Sequence, residues 1–266
     1  MRSLAVIIAT ISLLGLQTAH ASAQQPPAQQ PLKLRYVEGT GRGYLSLRSE
    51  DGTLLATGDQ VEVIHGSKGR IRLVYRFKDG SLNDETTEFS MAPALHLISY
   101  HLVQKGPSFP TQSDMTIDTR TGQVTMISTD DKGKTKTESQ HMDLPPDLYN
   151  GVMALALRNM DPKAPMTVSY MAATAKPQIV KIVISNAGMD PFIAAGAAVK
   201  ATHYVLHVDI QGIKGAIAPL VGKQPPDQHV WILTGEAPVF VASQTTFYMG
   251  APLWRVAPAD IVPPKK

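Results

Sequence analysis

Short turn signals recur through the first half of the chain, at Asp51-Gly52, His65-Gly66-Ser67-Lys68-Gly69 and Asp79-Gly80, then within 118–122 and 130–133. Each lies between runs rich in Val, Ile, Thr and Tyr. Asp-Gly and related pairs at this spacing close antiparallel hairpins, because they supply the positive-φ positions that match the twist of the flanking strands. After a central interruption the strand pattern resumes over 167–172, 179–185, 199–210, 230–234, 239–246 and 253–256. Helical patterns do not alternate with these strands, which excludes parallel βαβ units. The expected fold is mainly β: antiparallel meander sheets, as a curved sheet or an open barrel-like one, with one central helix packed on the sheet.

Residues 70–77 show the strand alternation best. Ile71, Leu73, Tyr75 and Phe77 point one way, and Arg70, Arg72, Val74 and Arg76 the other, so one face is core and the other wet. A three-residue loop Asp79-Gly80-Ser81 sets Asp84 opposite Arg76, Thr86 opposite Val74 and Glu88 opposite Arg72, with Phe89 facing Ile71. On that reading the arginine row is a solvated face neutralised by its neighbour, in preference to an anion site. The same register puts Glu85 on the apolar face beside Tyr75. A carboxylate there has a raised pKa and suits a ligand or catalytic role, or else bonds the tyrosine hydroxyl.

The helix is expected over 147–159. Pro145-Pro146-Asp147 offers a stop, a fixed φ and an N-cap, and Leu148, Val152 and Leu155 follow at helical spacing until Asn159 and Asp161-Pro162. Gly151 weakens the second turn. Around the helix, residues 34–257 are read as a single β-rich domain, with a division into two lobes near 147–159 as the alternative.

The flanks read differently. Arg2 followed by the apolar or small run 4–16, and small residues at Ala21-Ser22-Ala23, predict a signal peptide over 1–23. A Pro/Gln-rich linker follows at 24–33 and a Pro/Lys tail at 258–266. The expected location is the periplasm or the extracellular space, with no transmembrane segment in the mature chain. A membrane barrel is disfavoured, since 2 Trp, 8 Tyr and 6 Phe are few for two aromatic girdles.

Composition removes several chemistries. With no cysteine there is no disulfide, thiolate metal site, cysteine nucleophile or cysteine lipid anchor. The formal net charge of +3, reduced to +2 by loss of Arg2, is not concentrated in any Lys/Arg run, so nucleic acid is not expected as a partner. No hydrolase elbow, zincin motif or dinucleotide fingerprint occurs. Gly222-Lys223 fails as a phosphate loop, because Ile217 and Gln224 replace the required glycine and Ser/Thr. No cofactor, resident metal or catalytic residue is assigned.

The remaining candidates are histidines and their neighbours. His203, His207 and Asp209 alternate on one strand face, where the two histidines sit ~13 Å apart and cannot share an ion by themselves. His207 and Asp209, ~6.6 Å apart, can form an imidazole–carboxylate pair, against an ordinary strand face as the plain reading. His101 and Lys105 end a strand that runs into the rigid Gly-Pro-Ser-Phe-Pro segment 106–110, a setting that can line a ligand mouth.

Six blocks carry a resemblance: Lys105-Gly-Pro-Ser-Phe-Pro110, Asp143-Leu-Pro-Pro-Asp-Leu-Tyr-Asn-Gly151, Lys200-Ala-Thr-His-Tyr204, Ala218-Pro-Leu-Val-Gly-Lys-Gln-Pro-Pro-Asp227, Trp231-Ile-Leu-Thr-Gly-Glu-Ala-Pro238 and Pro252-Leu-Trp-Arg-Val256. They resemble a group of uncharacterised exported bacterial β-rich proteins of the domain-of-unknown-function type, and more distantly the curved-sheet folds of lipoprotein carriers. The resemblance implies a fold and transfers no residue role.

Two functions fit these observations. The first is a non-enzymatic envelope protein that binds an apolar, lipid-like ligand or a partner chain, with Glu85, His101, Lys105, His203, His207 and Asp209 as candidate binding residues. The second is a secreted hydrolase using His207 with Asp209, or His101 with Glu85, in a cleft between the strand-rich halves. The first is preferred.

Overall fold

The computed structural model describes residues 31–36, 38–194, 196–210 and 224–259. The expected signal peptide, most of the linker, Gly222-Lys223 and the end of the tail lie outside the described residues. The strands before the helix are β1 Gly41–Arg48, β2 Leu54–His65, β3 Lys68–Phe77, β4 Leu82–Ser90, β5 His96–Lys105, β6 Gln112–Asp118, β7 Gln123–Thr129 and β8 Thr135–His141. After helix α1, Met153–Asn159, come β9 Met166–Ala172, β10 Gln178–Ala194, β11 Ala197–Asp209, β12 Gln228–Leu233, β13 Val239–Thr245 and β14 Trp254–Pro258. All 14 strands form one antiparallel sheet, in the order β8-β7-β6-β5-β4-β3-β2-β1-β14-β13-β12-β11-β10-β9. The β1–β14 ladder, with Leu45 opposite Pro258 and Leu47 opposite Val256, joins the two strand-rich halves.

The β3–β4 hairpin has the expected partners in a different register. Phe77 N–H donates to the Ser81 carbonyl at 2.9 Å, so the three-residue loop is Lys78-Asp79-Gly80. A loop of this length ends on a left-handed residue, and Gly80, at φ 86°, takes that place without Cβ strain. Arg76 therefore faces Leu82, Val74 faces Asp84 and Arg72 faces Thr86, rather than the pairs expected two residues along. Arg72 still reaches Asp84 diagonally at 2.7 Å, and Arg70 faces Glu88. Because the offset is even, every side chain keeps its face and Glu85 stays on the Tyr75 side.

The sheet curls until its two ends overlap. Val168 of β9 and Ile182 of β10 face the helix, in a cluster with Leu155, Tyr204, Leu206 and Ile232. Met171 and Ile179, of opposite parity on the same strands, pack instead against Leu102, Met115, Ile117, Val124 and Met126 of β5–β7. The β9 end of the sheet is thus covered on both faces. Its outer edge is also covered, since Tyr149 N–H donates to the Ser169 carbonyl and Ser169 N–H to the Asp147 carbonyl, each at 3.0 Å, making a parallel bridge.

That bridge explains why the helix is shorter than expected. Asp147 caps nothing: its carboxylate accepts the Ser169 hydroxyl at 2.8 Å and lies 3.3 Å from the Lys181 ammonium. Gly151 turns the chain at φ 71°, and α1 begins two residues later with Val152 at the cap position and no side-chain cap. A seven-residue helix is marginal alone, and this one is held by packing, with Val152, Leu155, Ala156 and Leu157 all buried inside the curl. Within the stretch expected as linker, Leu32 packs on the same cluster, and its carbonyl accepts Leu95 N–H at 2.7 Å. Among the described residues no helix is long and apolar enough to cross a membrane.

Candidate ligand cavity

The curled sheet leaves a half-open cavity of ≈ 1690 Å³ beside α1. Leu73, Leu102, Leu155, Ile182, Leu206 and Phe240 give it an aliphatic and aromatic wall. Alternation along the strands aims these residues inward, and it aims two acidic residues inward with them.

Glu85 is the first. Its half-buried side chain lines the cavity. Asn83 Nδ2 donates to its Oε1 at 3.1 Å and the Tyr100 hydroxyl to its Oε2 at 3.2 Å. Asn83 is fixed in turn by Gln104, whose amide donates to Asn83 Oδ1 at 2.8 Å and to the Phe247 carbonyl at 2.7 Å. Burial pushes the Glu85 carboxyl above its ordinary range, partly offset by the Asn83 and Tyr100 hydrogen bonds. Burial, reinforced by the Glu85 charge, also raises Tyr75, Tyr100 and Tyr170, so these phenols stay protonated at neutral pH.

Glu62 is the second. It sits beside Arg158 of α1, whose Nη2 lies 2.9 Å from Glu38 and 3.8 Å from Glu62. Glu62 Oε1 and Arg158 Nε are buried without a partner. Burial raises the Glu62 carboxyl, Arg158 opposes that shift and Glu38 adds to it. The two unpartnered atoms are sealed from solvent, so this cluster ties α1 to β2 and to the Glu38 segment instead of presenting groups to a ligand.

Of the six candidate binding residues read from the sequence, Glu85 alone is on the cavity wall. His101 is on the opposite, outer face of β5, exposed, with its Nε2 2.9 Å from Asp114 Oδ1. The expected His101–Glu85 pair is therefore not formed, because neighbouring parities on paired strands put the two side chains on opposite faces. Lys105 is exposed at the end of β5 and is not part of the wall. His207 Nδ1 meets Asp227 at 2.7 Å, a partner whose place beside β11 has no local sequence signal. Asp209 lies on the His207 face of β11.

His203 belongs to a compact outer-face cluster. Its Nδ1 is 3.2 Å from Asp190 Oδ2 and its Nε2 is 2.9 Å from His229 Nδ1, while Trp231 Nε1 donates to Asp190 Oδ2 at 2.7 Å. The His203 ring stacks on Trp231 with centroids 4.7 Å apart. Burial lowers the His203 pKa and Asp190 works against that, which suits a neutral imidazole relaying hydrogen bonds between Asp190 and His229. Among the described residues no group of three or more His, Cys, Asp or Glu can hold a metal ion.

A serine–lysine contact also escapes sequence reading. Lys181 Nζ donates to Ser169 Oγ at 2.7 Å. Ser169 is fully buried and its hydroxyl is spent on Asp147, so it locks the β9 edge and offers no accessible nucleophile.

The chain matches no family model and no curated protein. Among solved structures it is similar to a β-barrel-like protein of the domain of unknown function DUF1849 from Brucella abortus, at 10% identity and a TM-score of 0.43, over 88% of this chain and 100% of that one.

Proposed function

We propose that this is an exported, non-enzymatic binding protein of the cell envelope that holds an apolar or amphiphilic molecule inside the curled sheet. The observation that carries the proposal is the ≈ 1690 Å³ apolar-walled cavity. Sites for drug-sized ligands run to roughly 300–1,000 Å³, so this volume suits a long-chain molecule. The signal-peptide pattern at 1–23 supports an envelope location.

The test is native mass spectrometry of the mature protein purified from its own cell envelope, followed by denaturing extraction of what co-purifies. A stoichiometric apolar molecule is the expected result. Ala154, on the helix wall of the cavity, provides the control: Ala154→Trp fills space and should expel the molecule. An empty wild-type protein that also fails to take up the neutral fluorescent probe N-phenyl-1-naphthylamine overturns the reading and leaves a partner-chain role to be tested.

A further inference from the structure

The cavity wall has an uneven distribution of charge. Arg42, at one margin, is committed to Asp59, and Arg158 to Glu38 and Glu62. Glu85 faces the same space with neutral partners alone, Asn83 and Tyr100. We infer that the occupant is a cationic amphiphile, with its hydrocarbon chain along the aliphatic wall and an ammonium-class head on Glu85. This rests on the proposed binding function and names its ligand class.

The hydrogen-bond inventory favours a cation over an anion. A carboxylate offers about four lone-pair sites. The Asn83 amide and Tyr100 hydroxyl occupy one on each oxygen, so those donors are spent and the remaining capacity is for accepting. An anionic head placed here meets a like charge whose two neighbouring donors, Asn83 and Tyr100, are already committed to Glu85. A neutral head gains hydrogen bonds without compensating the Glu85 charge. Tyr170, half-buried, lines the same wall.

Binding is linked to protonation. Of the groups around Glu85, the phenols of Tyr75 on β3, Tyr100 on β5 and Tyr170 on β9 stay protonated, and Asp84 on β4 is held by Arg72 on the outer face. Glu85 is left to titrate beside the head group; Glu62, the other carboxyl of the wall, is sealed against Arg158, and Glu85→Gln separates the two. A cation binds its ionised form, so affinity for the cation falls as pH drops through the Glu85 range, approaching tenfold per pH unit below it.

The experiment uses the mature full-length chain loaded with N-phenyl-1-naphthylamine. The probe is displaced by tetradecyltrimethylammonium, tetradecanol or tetradecanoate, each below its micelle concentration. The expected result at pH 8 is roughly tenfold tighter binding of the cation than of either competitor, equivalent to ~1.4 kcal/mol, with the preference shrinking at pH 5. Glu85→Gln should bring the ratio to about one, and Glu85→Asp, which keeps the charge, should retain part of it. Equal binding of the three chains, or preference for the carboxylate, overturns the head-group assignment and leaves the cavity reading intact. Failure of the probe to bind protein that native mass spectrometry shows to be empty overturns both.

Discussion

The hydroxyl of Tyr149 accepts the backbone N–H of Leu32 at 2.9 Å, across 117 positions of chain. With the Leu32 carbonyl already bonded to Leu95, the peptide on each side of Leu32 is fixed by a different part of the sheet assembly. Tyr149→Phe removes the acceptor and leaves the N–H without a partner, at a cost of about 1–3 kcal/mol. Urea unfolding should show the loss, and amide exchange should accelerate at Leu32 before it does at the β5–β6 ladder.

Asn159 satisfies its whole carboxamide inside the fold. Its Oδ1 accepts the N–H groups of Arg35 at 2.8 Å and Tyr36 at 3.1 Å, and its Nδ2 donates to Glu38 at 3.1 Å and to the Leu155 carbonyl at 3.0 Å. Asn159→Leu keeps the volume and orphans two backbone donors. A loss of about 2–4 kcal/mol is expected by chemical denaturation, together with release of the 31–38 segment to proteolysis.

At Gly151 an added Cβ would collide with Thr87 Oγ1, on a backbone with φ 71°. Gly151→Ala should therefore destabilise by about 2 kcal/mol or more, from contact and backbone strain together. In a double-mutant cycle Thr87→Ala should recover the contact part and leave the backbone part, a split that thermal unfolding of the four proteins reads directly.

Glu85 gives stability a definite pH slope. Burial raises its folded pKa above the ordinary 4.5, so the folded state holds this proton more tightly than the unfolded chain. Its contribution is full below about pH 4.5 and is lost as pH rises through the folded pKa. Glu85→Gln should consequently gain stability relative to wild type as pH rises from 4.5 through the folded pKa. A difference that does not change as pH rises from 4.5 refutes the assignment.

His203 has the opposite slope. Burial depresses its pKa below the ordinary 6.5, so its contribution is present above that pH and lost on acidification. Asp190→Asn removes the group that opposes the shift and should lower the His203 midpoint further, as followed by the ring-proton NMR titration.

Local signals in the sequence account for most of the fold and little of the site. Turn pairs and alternation locate the hairpins, and an even error in the 78–81 loop leaves every face correct. The helix start is misread because Pro145-Pro146-Asp147 has the chemistry of a cap, while its backbone is used to cover β9, a partner that only the curl brings near. Glu85 is legible as a charge among inward residues. Glu62 has the same signal, sharing parity with Ala56 and Ile64, and can be found by the same test. Tyr170 and Arg158 reach the cavity through contacts between distant strands and the helix, for which no spacing in the sequence stands as a sign.

A ribbon of strands ordinarily has two rims, and open-ended polymerisation by copies of the chain needs both. Here the β9 rim is sealed by residues 147–149 and enclosed by β5–β7. The rim at the other end of the strand order is β8, Thr-Lys-Thr-Glu-Ser-Gln-His, without one aliphatic side chain and with Lys136 and Glu138 paired along it at 2.7 Å. Charged, polar rims resist strand addition. Rolling one terminus of the sheet inside the other leaves a polar strand at the outer terminus, while among the described residues β10 keeps a free side beyond residue 184, where Met189 and Ile193 are exposed, so the curl protects the terminal rims of the sheet and not its long central hairpin.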